Sequence, residues 1–190
     1  MDVPLFPLNV VLFPGGPLPL RIFESRYIDM ISQCMKSELP FGVVLIREGQ
    51  EAGDAGMFDV GTLATIVDFY QGSDGLLGVT AVGEQRFRLL DCRKQADGLN
   101  VGTIELIEAE PSRPLPEEFQ ALRPILTNVL DDLGLLYESL ERNDNDAVWL
   151  SYRFVEILPI DLEQKQQLLE SSDTLARLQL IDSLMRSARD

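Results

Sequence analysis

The chain has 190 residues, of which 45% are hydrophobic and 25% charged, and its formal net charge at pH 7 is −15. These proportions are ordinary for a globular protein, and a chain of this length buries enough surface to fold without disulfides or metals. No apolar run approaches the ~18–20 residues of a membrane helix, and residues 1–4 lack the basic start of a signal peptide. We therefore expect a cytoplasmic protein with no membrane partner.

The absence of histidine excludes several kinds of active site. Ser-His-Asp and Cys-His catalysis both require an imidazole, and so do zinc sites with histidine ligands. The two cysteines, Cys34 and Cys92, are too few for a four-thiolate zinc site and lack CxxC spacing. We interpret them as small apolar residues of a reducing compartment, and nothing in the sequence supports a disulfide between them.

The negative charge is spread over the whole chain. Residues 1–110 carry eight basic and sixteen acidic side chains, a net charge of −8, and residues 111–190 carry eight and fifteen, a net charge of −7. The longest basic run is Arg93-Lys94. Because an acidic field repels nucleic-acid phosphates, we expect no nucleic-acid partner.

The first 110 residues are predicted to form mainly short β-strands. Asp-Gly steps at 74–75 and 97–98 predict tight hairpin turns, because type I′ turns require positive φ angles. Several short strands with such turns favour an antiparallel sheet or a small barrel. The predicted strands cover residues 10–13, 41–47, 61–70, 76–82, 86–92 and 101–107.

One predicted helix, residues 24–37, interrupts the strands. Its apolar residues recur at helical spacing, so they predict a buried stripe that covers a sheet. Cys34 belongs to this stripe, which supports a structural role for its thiol. The stripe consists of Tyr27, Met30, Ile31, Cys34 and Met35.

Residues 111–116 contain three prolines and are the best candidate for a linker. After them the apolar period changes from 2 to 3.6, which predicts a small helical bundle. Pro124 is expected to kink or limit the first of its helices, residues 143–146 offer N-caps, and Asp161 with Gln164 resembles a capping box. The predicted buried stripes are Phe119, Leu122, Leu126, Val129, Leu130 and Leu133; then Val148, Tyr152 and Val155; then Leu175, Leu178, Ile181 and Met185.

No motif in the sequence predicts a cofactor or a metal. The phosphate-binding pattern GxxxxGK[ST] is absent. Asp144 and Asp146 resemble the start of a calcium loop, but Trp149 and Val155 occupy its glycine and glutamate positions. We therefore expect neither a cofactor nor a metal site.

Several segments together resemble the N-terminal domain of Lon proteases. The most specific are residues 5–15, with the sequence LFPLNVVLFPG, and residues 18–27, with the sequence LPLRIFESRY. The resemblance continues through FGVVL at 41–45, VGTLA at 60–64, GEQRFRL at 83–89, LPID at 158–161 and KQQLLE at 165–170. It therefore covers nearly the whole chain.

The resemblance implies an α+β fold. It consists of a β-rich, PUA-like sheet or barrel with one or more covering helices, followed by an α-helical bundle, in agreement with the change of period. We divide the chain accordingly into residues 1–110, a proline-rich linker at 111–116, and residues 117–190. In Lon proteases this domain helps to capture unfolded substrates and precedes an ATPase and a Ser-Lys peptidase. This sequence has no Walker motif and no residues left for a peptidase, so we expect a stand-alone recognition domain that is not an enzyme.

The expected function is binding of unfolded or exposed apolar polypeptide segments, or of a protein partner. One alternative is RNA binding, since PUA-like folds elsewhere contact RNA, although the charge of −8 on residues 1–110 argues against it. A second alternative is an unrecognised enzyme that uses carboxylates, which only the abundance of acids supports.

The predicted partner-binding site is the entry into the first helix, with Arg21, Phe23, Glu24 and Arg26. A helix N-terminus offers free N–H groups, and the two arginines are scarce positive charges on an acidic chain. Together they are expected to hold a peptide carboxylate or backbone beside Phe23. The structural alternative is that Glu24 caps the helix and Arg26 pairs with a nearby acid.

Overall fold

The computed structural model describes residues 1–47, 56–72, 75–138 and 141–187. The chain divides into two compact units, Met1–Glu108 and Ala109–Asp190, and the fold is α+β. Unit 1 contains β1 (Asp2–Leu8), β2 (Pro17–Ile22), α1 (Ser25–Ser37), β3 (Phe41–Ile46), β4 (Met57–Gln71), β5 (Leu77–Lys94) and β6 (Asn100–Leu106). Unit 2 contains a 3-10 turn (Glu117–Phe119), α2 (Leu122–Leu133), α3 (Leu135–Glu138), α4 (Ala147–Ile157), α5 (Leu162–Glu170) and α6 (Thr174–Ser187).

The sheet of unit 1 closes on itself. Its order is β2-β5-β4-β3-β1-β6, and β6 also pairs with β5. Five strands therefore form a closed ring, and β2 extends from the first half of β5 outside it. Among the strands that the structure describes, only β1 and β3 pair in parallel, and the other pairs are antiparallel.

The predicted strand at residues 10–13 is wrong. Val11, Leu12 and Phe13 are buried, but they form an irregular segment whose Leu12 carbonyl accepts a hydrogen bond from the Thr62 hydroxyl at 2.6 Å. The strands on either side, β1 and β2, are not predicted from the sequence, because both contain prolines, which favour turns. A proline fits a strand wherever its nitrogen faces away from the hydrogen-bonded neighbour.

The remaining predicted strands are confirmed, with one difference in how they are divided. Residues 76–82 and 86–92 belong to a single strand, β5, which pairs with β2 in its first half and with β6 in its second. Turns lie at both predicted positions, and their glycines, Gly75 and Gly98, have φ angles of 81° and 85°. The turn at 97–98 is not the predicted type I′, because Asp97 has no positive φ and the Gly98 N–H donates to the Gln95 carbonyl, which makes Ala96 and Asp97 the central residues. Asp74 itself lies outside the described residues.

Helix α1 covers the sheet with most of the predicted stripe. Tyr27, Met30, Ile31 and Cys34 are buried, whereas Met35 is exposed, contrary to prediction. The Tyr27 ring stacks on Phe6 of β1 with centroids 4.1 Å apart. This contact fixes the N-terminal half of α1 against the ring of strands.

Two helices of unit 2 begin at the capping residues that the sequence predicts. The Asp146 carboxylate caps α4 by accepting hydrogen bonds from the N–H groups of Val148 and Trp149, and Asp161 with Gln164 forms the capping box of α5. Pro124 lies in the first turn of α2, where a proline costs little. The predicted stripes are only partly correct, because Leu133 and Leu175 are exposed.

The domain limits 1–110, 111–116 and 117–190 stay a prediction. The proline-rich stretch makes hydrogen bonds within unit 2: the Leu115 N–H donates to the Asn145 carbonyl, and the Ala147 N–H donates to the Arg113 carbonyl. Within the described residues, none of the helices is long and apolar enough to cross a membrane.

A buried ion pair connects the start of unit 2 to its last helix. Arg177 Nη2 lies 2.9 and 3.0 Å from the two Glu110 carboxylate oxygens, and both side chains are almost fully buried. Tyr152 and Thr174 also donate hydrogen bonds to this carboxylate. Burial alone would raise the pKa of Glu110, but the hydrogen bonds from Arg177, Thr174 and Tyr152 outweigh it and lower that pKa below its ordinary value.

Replacing Glu110 with Gln is expected to lower the free energy of unfolding of unit 2 by about 3 kcal/mol at pH 7, because the variant leaves Arg177 buried without its counter-charge. Urea unfolding followed by Trp149 fluorescence measures this, since Trp149 is the only tryptophan and lies in α4. The low folded-state pKa stabilises unit 2 above the ordinary carboxyl pKa of 4.5, and this contribution is lost as the pH falls through the folded-state value. The difference between wild type and variant should therefore shrink in acid.

Asp182→Asn is the matched control, because it removes an exposed ion pair with Arg186 and should change stability by less than about 1 kcal/mol. Equal effects of the two substitutions would contradict the role assigned to Glu110.

Candidate partner-binding surface

The extension formed by β2 places Arg21 on the outer side of the sheet. In the strand register Arg21 lies opposite Gly78 of β5, and Gly78 lies opposite Tyr70 of β4. Residues directly opposite each other in a sheet project from the same face. Arg21, Gly78 and Tyr70 therefore form one row, called here the outer row.

Gly78, in the middle of the outer row, leaves room for the Tyr70 ring because it has no side chain. A Cβ atom added to Gly78 would lie only 2.3 Å from the Tyr70 ring, so this ring occupies the space above the glycine. The Tyr70 side chain nevertheless remains 46% exposed. The row thus presents an aromatic ring beside the exposed Arg21.

A β-bulge decides which aromatic residue joins the row. The register shifts between Ile66, opposite Ala81, and Asp68, opposite Thr80. The extra residue, Val67, reverses the face of everything after it. Tyr70 therefore faces outward, and Phe69 lies on the opposite face.

Large apolar side chains are exposed near the outer row, on both faces of the sheet. Phe23, which directly follows β2, is 70% exposed, and Phe69 and Val67 of β4 are 58% and 57% exposed. The sequence prediction found Phe23 but missed Val67, Phe69 and Tyr70. The sequence contains a signal for them. Phe69 and Tyr70 are adjacent, so they project from opposite faces of a strand, and they stand beside a predicted hairpin turn, where a strand extends past the core.

Arg26 and Glu24 interact with each other. Arg26 donates to a Glu24 carboxylate oxygen at 2.7 Å and to the Gly98 carbonyl at 3.0 Å, and its guanidinium carbon lies 4.8 Å from the centre of the Tyr27 ring. Arg26 therefore ties the start of α1 to the turn between β5 and β6. Glu24 stands at the N-cap of α1 without a side-chain capping hydrogen bond.

The same cluster sets the ionisation of Tyr27. Burial raises the pKa of its hydroxyl, the positive charge of Arg26 opposes this, and the negative charge of Glu24 adds to it. Tyr27 therefore stays neutral at physiological pH and acts as a packing residue.

An apolar cavity of about 330 Å³ lies elsewhere in unit 1, between β1 and the C-terminal half of α1. Its lining includes Val3, Met30, Cys34 and Leu39. Burial raises the pKa of the Cys34 thiol, which keeps it protonated and weakly nucleophilic. No group of three or more His, Cys, Asp or Glu residues that could hold a metal occurs in the described parts of the chain.

The chain was compared with known families and solved structures that combine such a ring of strands with a helical unit. Residues 2–187 match the family model of the ATP-dependent protease La (LON) substrate-binding domain, so the chain belongs to this family. The structure is similar to the Lon N-terminal domain protein from Xanthomonas campestris, with a TM-score of 0.79 and 32% identity over 96% of this chain and 98% of that one.

Relatives include larger proteins. The Lon protease of Anaeromyxobacter dehalogenans is 26% identical over 99% of this chain, which corresponds to 23% of that protease. Protein cereblon of Danio rerio is 31% identical over 64% of this chain and 28% of its own length. This chain thus spans about a quarter of the length of these relatives.

Arg26→Ala is expected to lower the stability of unit 1 by about 1–2 kcal/mol, because it removes two charge-assisted hydrogen bonds, one of them in a partly exposed ion pair. Arg88→Ala serves as the control, because Arg88 is an exposed residue of β5, and it should stay within about 0.5 kcal/mol of wild type. Hydrogen exchange of the α1 amides in urea measures the stability of unit 1 in both variants. If the two variants lose equal stability, Arg26 does not tie α1 to the turn.

Proposed function

We propose that this chain is a non-catalytic module that binds exposed apolar segments of other polypeptides in the cytoplasm, without ATPase or peptidase activity of its own. The observation that carries the proposal is the pair of exposed aromatic side chains at the outer row, Phe23 and Tyr70. Membership of the substrate-binding family of an ATP-dependent protease supports a polypeptide as the ligand.

The four residues predicted from the sequence divide into two roles in this proposal. Arg21 and Phe23 contact the partner, because both are exposed at the end of β2. Glu24 and Arg26 hold the start of α1 in position, because their charged groups pair with each other. Tyr70 joins the contact residues through its place in the outer row.

The energies favour weak, reversible binding. Full burial of an aromatic side chain gains about 1.5–3 kcal/mol, so two or three such contacts gain at most about 9 kcal/mol. Association costs at least about 4 kcal/mol of translational and rotational freedom. The balance is at most about 5 kcal/mol, which corresponds to a dissociation constant of about 0.2 mM or weaker and suits a module that must release its partner.

The test is fluorescence anisotropy with the full chain and a labelled, carboxymethylated protein that cannot refold. The Phe23→Ala, Tyr70→Ala double variant is expected to bind at least about tenfold more weakly, since it loses two apolar contacts, each worth more than about 1 kcal/mol. Single-stranded RNA is the second ligand and is not expected to bind the acidic chain.

Leu90→Ala is the matched control, because Leu90 is an exposed apolar residue in the half of β5 that pairs with β6. Its binding should equal that of wild type. Loss of affinity in the control, unchanged affinity in the double variant, or tighter binding of RNA than of the unfolded protein would each contradict the proposal.

A further inference from the structure

The second half of β4 has an open main-chain edge. On one side, β4 pairs with β3 only as far as Ala64, which lies opposite Phe41, the first residue of β3. On its other side, β4 continues to pair with β5 as far as Gln71, which lies opposite Leu77. Within the described residues, no strand covers the β3 side of residues 65–71. An edge about 20 Å long is therefore left open beside the ring of strands.

The hairpin after β4 shows which main-chain groups point to this open edge. The Gly72 N–H donates to the Leu76 carbonyl, and in an antiparallel pair the hydrogen-bonded positions alternate along the strand. Tyr70 therefore bonds to β5, whereas Phe69 and Gln71 direct their N–H and carbonyl groups away from it. Donors and acceptors at this spacing are complementary to the main chain of another extended segment.

The side chains of the open edge also suit an added strand. Val67, Phe69 and Tyr70 are exposed, and β-branched and aromatic residues favour strands. Because opposite residues in a sheet share a face, a partner residue opposite Tyr70 would extend the outer row by one strand. The open edge and the outer row thus meet at Tyr70, and one polypeptide can contact both.

The Asp68 carboxylate caps one of the outward donors. Its Oδ1 atom accepts a hydrogen bond of 2.8 Å from the Phe69 N–H, and Asp68 is exposed. A partner strand must displace this carboxylate before it can bond to the Phe69 N–H. Charged side chains on edge strands limit unwanted strand pairing in a similar way.

A second copy of this chain is a poor occupant of the open edge. Each chain carries a net charge of −15, and like-charged molecules repel each other. Two copies that paired through this edge would also bring both of their Asp68 carboxylates into one interface. An uncharged segment of another polypeptide avoids both costs.

We propose that residues 68–71 of β4 bind an extended segment of an unfolded polypeptide as an added strand, and that Asp68 is a cap that the segment displaces. This inference rests on the proposed function and specifies how the main chain of the partner is held. It makes binding depend on free backbone N–H and carbonyl groups. A folded protein, whose backbone groups are already paired, is therefore not bound.

The first experiment measures amide hydrogen exchange of the full chain with and without a short peptide of alternating threonine and valine, with a central phenylalanine and uncharged ends. The Gln71 amide should exchange at least about threefold more slowly when the peptide is bound. A peptide with the same side chains but N-methylated central residues has no donors on either edge, and it should give no protection. Protection of Gln71 that appears without peptide and grows with protein concentration would assign the edge to a second copy and overturn the proposed occupant.

The second experiment alters the edge itself. Gln71→Pro removes an outward N–H group, whereas Gln71→Val removes the same side chain but keeps that group. The proline variant should bind the peptide at least about tenfold more weakly than the valine variant. Asp68→Ala frees the Phe69 N–H and should bind the peptide at least about threefold more tightly than Asp68→Asn, whose amide oxygen still accepts this hydrogen bond. The comparison at Asp68 keeps the test valid if Gln71→Pro does not fold.

The outcomes separate this inference from the proposed function. Equal binding by the two Gln71 variants, or a bound peptide that leaves the Gln71 amide unprotected, would show that side chains alone hold the partner and that no strand is added. Equal binding by the two Asp68 variants would overturn the cap. If the wild-type chain binds the carboxymethylated protein but not the peptide, the added strand is equally wrong. If it binds neither, the proposed function fails.

Discussion

The close approach of two main-chain segments at Gly83 is the contact on which unit 1 depends. Gly15 donates to the Gly83 carbonyl at 2.7 Å, and Gly83 donates to the Gly16 carbonyl at 2.9 Å. A Cβ atom at Gly83 would lie 2.3 Å from the Phe13 carbonyl oxygen, so only glycine fits. At this point β5 passes from β2 to β6, and the change of partner lets five strands close into a ring while β2 remains outside.

The candidate surface follows from that arrangement. Since β2 lies outside the ring, its outward side chains and one main-chain edge are not covered by another strand of the described chain. The bulge at Val67 then turns Tyr70 to the same face as Arg21. The outward side chains of β2 and the Tyr70 ring therefore share one exposed face of the sheet.

The sequence predicts the parts of this structure that depend on local chemistry. Asp97 and Gly98 specified a turn, Asp161 and Gln164 specified a helix start, and the spacing of Tyr27, Met30, Ile31 and Cys34 specified a buried face. The resemblance to Lon N-terminal domains supplied the fold class. What could not be predicted depends on long-range contacts: β1 and β2 tolerate prolines only because of where their neighbours lie, and Tyr70 reaches the outer row only through a bulge and a register that strict alternation does not reveal. For the same reason Arg21 and Phe23 could be proposed from the sequence, but their neighbours on β4 could not.

Mapping of the bound surface by NMR tests the central claim most directly. Amide chemical shifts are recorded for the full chain during titration with a carboxymethylated, unfolded protein. The account predicts that the largest changes occur at Arg21, Phe23, Tyr70 and Gly78, with little change along the C-terminal half of α1. Changes centred on the apolar cavity beside Cys34 and Leu39, or on the helices of unit 2, would contradict it.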